Sequence, residues 1–516
     1  MLIKQVSHSI KNFVWFRIPT IIYCCLFIGS TCVFLFCCDP KRKSDEQLAK
    51  QHCGSCHLFP EPGLLTKSIW KNEVLPNMAF RMGLLNLMEG AKYAPLQDLV
   101  TVASTLPGSP MVTQDEWQSI VNYFVSNAPD TLVFAQKEKI RNLEIFQSFH
   151  YADSEETIPL VTLVYADTIH HKLFVGNRNG KITQLTNTFK TEKTFQFSSP
   201  ASHLMYDQED GYLISLMGIM DPNDQLKGEL IQLKSENANR DLILDSLKRP
   251  VYFEKADLNG DGSKDYIVCM FGNYTGALVA FESDELIGYR KHLISPLPGT
   301  RRTLIKDFNG DGLPDIIALF TQGDEQIILF MNEGNFNFKQ KTLLRFPPVY
   351  GSTYFDIADF NHDGKFDILY TNGDNSDYSQ ILKPYHGVRI FTQQSDFVFK
   401  ETWFYPMHGA SKAITTDFDL DGDLDIASIS FFPDFENHAE ESFIYFQNSN
   451  GKFTARSLPD ATSGRWIVME VADIEGDGDQ DILLGALDFN SKVPDPLFQH
   501  WEEKRTSILL LKNILR

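Results

Sequence analysis

Apolar and polar positions follow three different rules along this 516-residue chain. Residues 18–38 are apolar with no period, behind a basic stretch that holds Lys4, Lys11 and Arg17. Between residues 42 and 130, apolar side chains recur at helical spacing, as in TQDEWQSIVNYFVSNAP through Trp117, Ile120, Val121 and Phe124. Thr113 or Asp115 is placed to cap that helix and Pro129 to end it. From residue 150 onward the pattern changes to short β-branched runs separated by Asp/Gly turns, with no helical stretch between them. Runs such as DIIALF and QIILFM are apolar on both faces, as expected of strands packed between two sheets.

The third regime repeats. ADLNGDGSKDYIV, KDFNGDGLPDIIA, ADFNHDGKFDILY, TDFDLDGDLDIAS and ADIEGDGDQDILL share D-x-[N/D/E]-x-D-G-x-x-D followed by an apolar strand. Their first aspartates, Asp257, Asp307, Asp359, Asp417 and Asp473, lie 50, 52, 58 and 56 residues apart. Two worn copies precede them, around Asp167 and Asp207. Seven units over residues 150–516 give about 52 residues each, the size of one four-stranded propeller blade. A β-helix would need shorter repeats. The pattern predicts a mainly β protein: a seven-bladed β-propeller over 145–516, preceded by a small all-α domain over 39–135 and an N-terminal segment, 1–38.

Each intact loop reads as a calcium site. Oxygens at positions 1, 3 and 5 converge, Gly at 6 permits the sharp turn, position 7 offers its carbonyl and Asp at 9 closes the cage. The predicted ligands are Asp257, Asn259, Asp261, Ser263 and Asp265; Asp307, Asn309, Asp311, Leu313 and Asp315; Asp359, Asn361, Asp363, Lys365 and Asp367; Asp417, Asp419, Asp421, Asp423 and Asp425; and Asp473, Glu475, Asp477, Asp479 and Asp481. An EF-hand closes with Glu at position 12 on a helix; here closure comes at 9 and a strand follows. The repeats resemble the FG-GAP/VCBS repeats of integrin α-subunit propellers and of exported bacterial proteins. Seventeen acidic side chains occupy positions 1, 3, 5 and 9, and up to five Ca²⁺ would offset half of the net charge of −20. Without the ions, like charges stand within a few ångströms of each other.

Of eight cysteines, five lie in the first 38 residues, which leaves Cys53, Cys56 and Cys269. Cys269, in DYIVCMF, reads as a core residue. Cys53, Cys56 and His57 form CxxCH. Zinc needs a second ligand pair, which the chain lacks. A thioredoxin-type pair needs an α/β unit, which does not follow. The spelling that remains is that of c-type haem attachment: two thiols add to the vinyls and the adjacent His lies under the iron. Residues 42–130 resemble the cytochrome c family, with a leading helix, the CxxCH and a closing helix. That resemblance implies a methionine as the distal ligand. Met78 is favoured, because W-x-x-x-V-L-P-N-M resembles the Trp-to-Met segment of short bacterial cytochrome domains. Met82, Met88 and Met111 are the other candidates, Met111 because it precedes the closing helix.

Residues 1–38 read as an export signal, and LFCC resembles a lipoprotein box with Cys38 as acceptor. An uncleaved helix and a plain cleaved signal remain open. Each places the bulk of the protein outside the cytoplasm, periplasmic or at the cell surface. A pI near 5.1 argues against nucleic acid as a partner. Yet Arg249, Arg301, Arg302, Lys412 and Arg465, with His203 and His408 near, recur where each blade begins, opposite the calcium loops. They predict an anion-binding channel mouth; the competing reading stacks them on blade edges or pairs them with carboxylates.

The sequence therefore predicts an exported, membrane-tethered c-type cytochrome that carries electrons. Its propeller binds a redox partner protein or a small-molecule substrate. Two alternatives stand beside it: an oxidoreductase acting on a small molecule or sugar with the haem as built-in acceptor, and an adhesion or carbohydrate-binding module.

Overall fold

The computed structural model describes residues 43–93, 98–153, 155–234, 239–284, 286–376, 379–488 and 492–515. The predicted signal or anchor at 1–38, with Cys38, lies outside the described residues. Among the described residues no helix is long and apolar enough to cross a membrane.

The described residues between 43 and 127 are mainly helical. Helix Asp45–Cys53 starts on a reciprocal capping box between Ser44 and Gln47. Helix Gln114–Asn127 starts on another, between Thr113 and Glu116, so Thr113 and not Asp115 is the cap. These two helices pack on each other. Between them Trp70–Val74 forms a π-turn that runs into helix Leu75–Arg81, with Pro76 in its first turn, where no intrahelical N–H is required. Leu48, Ala49, Trp70, Leu75, Ile120 and Phe124 form the common core. Trp70 anchors it: its ring lies 4.5 Å from that of Phe124 and its indole N–H donates to Pro62 O at 2.8 Å.

Seven sheets follow. Blades 1–7 span 161–196, 201–248, 250–295, 300–345, 352–406, 410–457 and 466–513. Each runs antiparallel from its first strand outward, and the first strands surround the central channel. The second strands of blades 3–7, such as Asp265–Met270 and Asp315–Phe320, are buried at every residue. They are sandwiched between neighbouring sheets, and that is why their sequences do not alternate. Cys269 sits in one of these inter-blade cores with Ile316, Phe320 and Phe330, as its apolar context predicts.

Two features depart from a simple seven-unit reading. The outermost strand of blade 7 is Phe146–Tyr151, which pairs antiparallel with Ile508–Asn513 and so joins the two ends of the propeller. Just before it, Arg141–Asn142 adds a parallel fifth strand to blade 6. The expectation of no helix between strands is also corrected: helix Asp495–Lys504 interrupts blade 7. Leu497, Phe498 and Trp501 give it an apolar face, and Trp501 seals it by packing on Phe435 at 5.6 Å and donating to Thr462 O at 2.8 Å.

Ring closure rests on few residues. Phe146 is buried against Phe418 and Tyr445 at 5.8 and 6.0 Å. Phe146→Ala is expected to cost about 3–5 kcal/mol in denaturant unfolding. A cost below about 1 kcal/mol would show that the closing strand is not needed for stability.

Candidate functional site

The leading helix ends on Cys53, and the chain turns at Gly54, whose N–H donates to Lys50 O at 3.1 Å. A Cβ at position 54 would stand 2.7 Å from that oxygen, so the turn is tight by steric necessity. Both thiols are free; Cys53 is half-buried and Cys56 exposed. Burial pushes the Cys53 thiol up to about 12. His57 Nδ1 lies 3.0 Å from Leu58 O. A proton held on Nδ1 by that carbonyl leaves the lone pair on Nε2, the tautomer a metal ligand needs. Burial lowers the His57 pKa and so favours the neutral ring.

Met78 is half-buried and packs on the apolar cluster that Cys53 joins; Met82 is buried within it. Met88 and Met111 are exposed. Two free thiols at CxxC spacing, an imidazole with its outer nitrogen anchored and a thioether in the same apolar cluster fit covalent haem c with His/Met ligation.

The five predicted calcium loops share one geometry. The first aspartate folds the loop around itself: Asp257 Oδ1 accepts from Gly260 N at 2.7 Å and Oδ2 from Gly262 N at 2.9 Å. Asp307, Asp359, Asp417 and Asp473 accept from the matching glycine N–H at position 6, at 2.8–3.0 Å. That glycine has φ between 80° and 97° in all five loops, so it is required by the backbone. At position 4 the chain is left-handed as well, and there His362 and Leu420 adopt a conformation usually left to glycine.

The ninth residue does more than the sequence reading assigned to it. Asp265 Oδ2 accepts from Leu258 N at 3.0 Å while Oδ1 accepts from Ser283 N, at the end of the third strand, at 3.1 Å. Asp315, Asp367, Asp425 and Asp481 repeat this pair of bonds. All five carboxylates are fully buried. Burial raises all of them, and Asp425 and Asp481 reach about 7. The legible signal was position: the aspartate is the first residue of a buried strand.

The loop of blade 6 is the most complete cation cradle. Oxygens of Asp417, Asp419 and Asp425 lie within 4.8 Å of one another, and Asp419 Oδ1 is buried with no hydrogen-bond donor. The worn loops differ in an informative way. Asp207 has Lys255 Nζ at 3.2 Å and Lys264 Nζ at 3.8 Å. Asp167 has His170 Nδ1 at 2.7 Å and the Tyr212 hydroxyl at 2.6 Å. In these two loops, side chains of the protein supply the neutralising partner.

The basic residues sit in different surroundings. Arg302 and Lys412 line the channel, with His203, Tyr252, Glu254, Tyr354, Asp356 and Glu470 from the first strands of four further blades acting on them. Arg302 lies 3.5 Å from Asp356 and over the Tyr354 ring at 4.4 Å; Lys412 Nζ donates to Met469 O at 2.7 Å. Burial lowers Lys412 to about 8 and raises Glu254 to about 7. Arg249 instead packs on Phe271 at 5.0 Å and donates to Met220 O. Arg465, fully buried, packs on Phe431 and Phe432 at 4.4 and 4.9 Å. Arg301 is exposed and feels the carboxylate of Asp374. His408 is buried against Phe134. Arg302 and Lys412 thus share a mixed-charge environment, and Arg249 and Arg465 are held on aromatic rings.

Residues 307–370 and 417–484 match the FG-GAP-like repeat family and contain four of the five intact loops. The chain is a seven-bladed β-propeller carrying FG-GAP-like repeats, preceded by small helices. No curated protein matches it. Among solved structures, the Neurospora crassa Pan2 WD40 domain is 9% identical over 73% of this chain and 98% of its own, with a TM-score of 0.43. Saccharomyces cerevisiae Sqt1 is 8% identical over 73% and 100%, with 0.42. The N-terminal domain of Nup159 is 11% identical over 73% and 98%, also with 0.42. The blade count stands on this chain's own sheets.

The raised carboxyls set a pH dependence. Asp425 and Asp481 titrate near 7 when folded, against about 3.9 for an unfolded aspartate. Their stability contribution is fully present below about pH 4 and is lost as pH rises through about 7, because the unfolded chain releases protons that the folded chain keeps. In chelator, the propeller's melting temperature should fall between pH 5 and pH 7.5. Glu254 and Asp488, raised alike, add a calcium-insensitive part of the same sign. Millimolar calcium should raise the melting temperature and shrink the fall, since the ion takes the protons' place. A flat profile in chelator, or one that calcium does not alter, would refute the assignment.

Proposed function

We propose that this chain is an exported c-type cytochrome that passes electrons one at a time, with its calcium-stabilised propeller serving to bind a redox partner. The observation that carries the reading is the disposition of Cys53, Cys56 and His57, with His57 Nδ1 tied to Leu58 O. Haem, when bound, supplies a single-electron couple between ferrous and ferric iron. The chain's own residues do the rest. Cys53 and Cys56 hold the group covalently at the end of the leading helix. His57 offers Nε2 on one side, and Met78, from the apolar cluster, offers a thioether that favours the ferrous state. Trp70, Ile120 and Phe124 keep water from that side of the site. Residues 1–38 would tether the protein to a membrane through Cys38 or through the apolar run itself.

The calcium ions, up to five, are structural in this reading. They hold hairpins whose carboxylates otherwise repel; among the described residues no lysine or histidine pairs with the first aspartate of an intact loop, whereas Lys365, Lys512 and His362 reach other carboxylates in three of them. The mixed charge of the channel favours a macromolecular partner on the propeller surface over a small anion inside it.

Denatured holoprotein should keep peroxidase-active haem on a gel, and Cys56→Ser should weaken or abolish that band. His57→Ala should leave misligated haem or block maturation. The near-infrared band of Met–ferric haem should vanish in Met78→Ala and survive in Met111→Ala. Loss of all wild-type haem into acid acetone would overturn the reading.

A further inference from the structure

The helical region rests on one end of the propeller. Its contacts fall on links between second and third strands, or between one blade and the next, whereas the calcium loops join first and second strands. In an antiparallel blade these are opposite ends. The Tyr274 hydroxyl donates to Tyr93 O at 3.2 Å, and the Arg81 guanidinium lies 4.2 Å from the Tyr274 ring centroid. Val349 and Ile381, from blades 4 and 5, pack into the apolar cluster that also contains Cys53, Phe59 and Met78. The charges of Asp324 and Arg345, an ion pair at 2.7 Å in blade 4, act on His57.

This end of the propeller is stiffly built. The Tyr385 hydroxyl donates to Val349 O at 3.2 Å. The Tyr385 ring stacks on Tyr350 at 5.0 Å, Tyr350 on Phe346 at 6.0 Å and Phe346 on Tyr370 at 4.1 Å. Below them Glu325, buried, accepts from the backbone N–H of Gly351 and Ser352 at 3.0 and 2.7 Å. Val349 is thus held by its hydrogen-bonded carbonyl and by the stacked rings next to it in the chain.

We propose that the loops of blades 4 and 5 form the second wall of the haem crevice, with Val349 and Ile381 excluding water and the Asp324–Arg345 pair setting the field at the proximal histidine. The proposal rests on the haem reading above. It makes the propeller part of the redox site, since burial and local charge are two of the levers by which a protein tunes a haem potential.

Potentiometric titration of the full-length holoprotein tests it. A positive charge near the iron favours the ferrous form, so Arg345→Gln should lower the midpoint potential and Asp324→Asn should raise it. Val349→Asp and Ile381→Asp should lower it by admitting water and negative charge. Val398→Asp, on the exposed outer strand of blade 5, should leave it unchanged. Shifts of opposite sign within one ion pair would not arise from a merely structural contact. If the aspartate variants fail to fold, the ion-pair variants decide alone. Wild type without covalent haem would overturn both readings. Attached haem with wild-type potentials in Arg345→Gln and Asp324→Asn would overturn this proposal and leave the haem reading standing.

Discussion

A buried aspartate at the head of the second strand is the constraint on which blades 3–7 depend. Each such carboxylate accepts one backbone N–H from its own loop and one from the end of the third strand. One side chain thereby fixes where the loop ends, where the buried strand begins and how the third strand is registered. Burying an unpaired carboxylate is costly, and two backbone donors and a cation or a proton offset that cost. The raised affinity of these groups for protons is the mark of how strongly the fold resists leaving them charged and uncompensated.

The two worn loops show the same requirement met differently. Asp167 and Asp207 still turn their hairpins by accepting backbone N–H groups, but His170, Lys255 and Lys264 provide the neutralising charge or proton. The five intact loops carry seventeen acidic side chains at positions 1, 3, 5 and 9, and this accounts for much of the excess of acid over base in the composition.

The two ends of the propeller are thereby given different tasks. One end is a row of charged hairpins. The other holds aromatic stacks, the Asp324–Arg345 pair and the seat of the helical region. Because the first strands cross between the two ends, the channel brings together side chains from six blades. Its half-buried arginine and lysine sit among carboxylates.

Much of this was legible in the sequence because its causes are local. The spacing of the loop aspartates, the glycine at position 6, the caps of the closing helix, the apolar second strands and the CxxCH all depend on residues a few positions apart. The roughly 52-residue period set the blade count, and the direction of a strand placed the basic residues opposite the Asp/Gly loops. What only the tertiary structure decided involves partners far apart in the chain. Phe146–Tyr151 closes a sheet with Ile508–Asn513, some 360 residues away, and its exposed, weakly alternating sequence gives no hint of that partner. Likewise Arg302 meets Asp356, and Val349 and Ile381 meet the cluster around Cys53, through ring closure and docking. Local spacing fixes a turn or a ligand set, but which charge is offset and which crevice is walled depends on surfaces that come together only when the ring is complete.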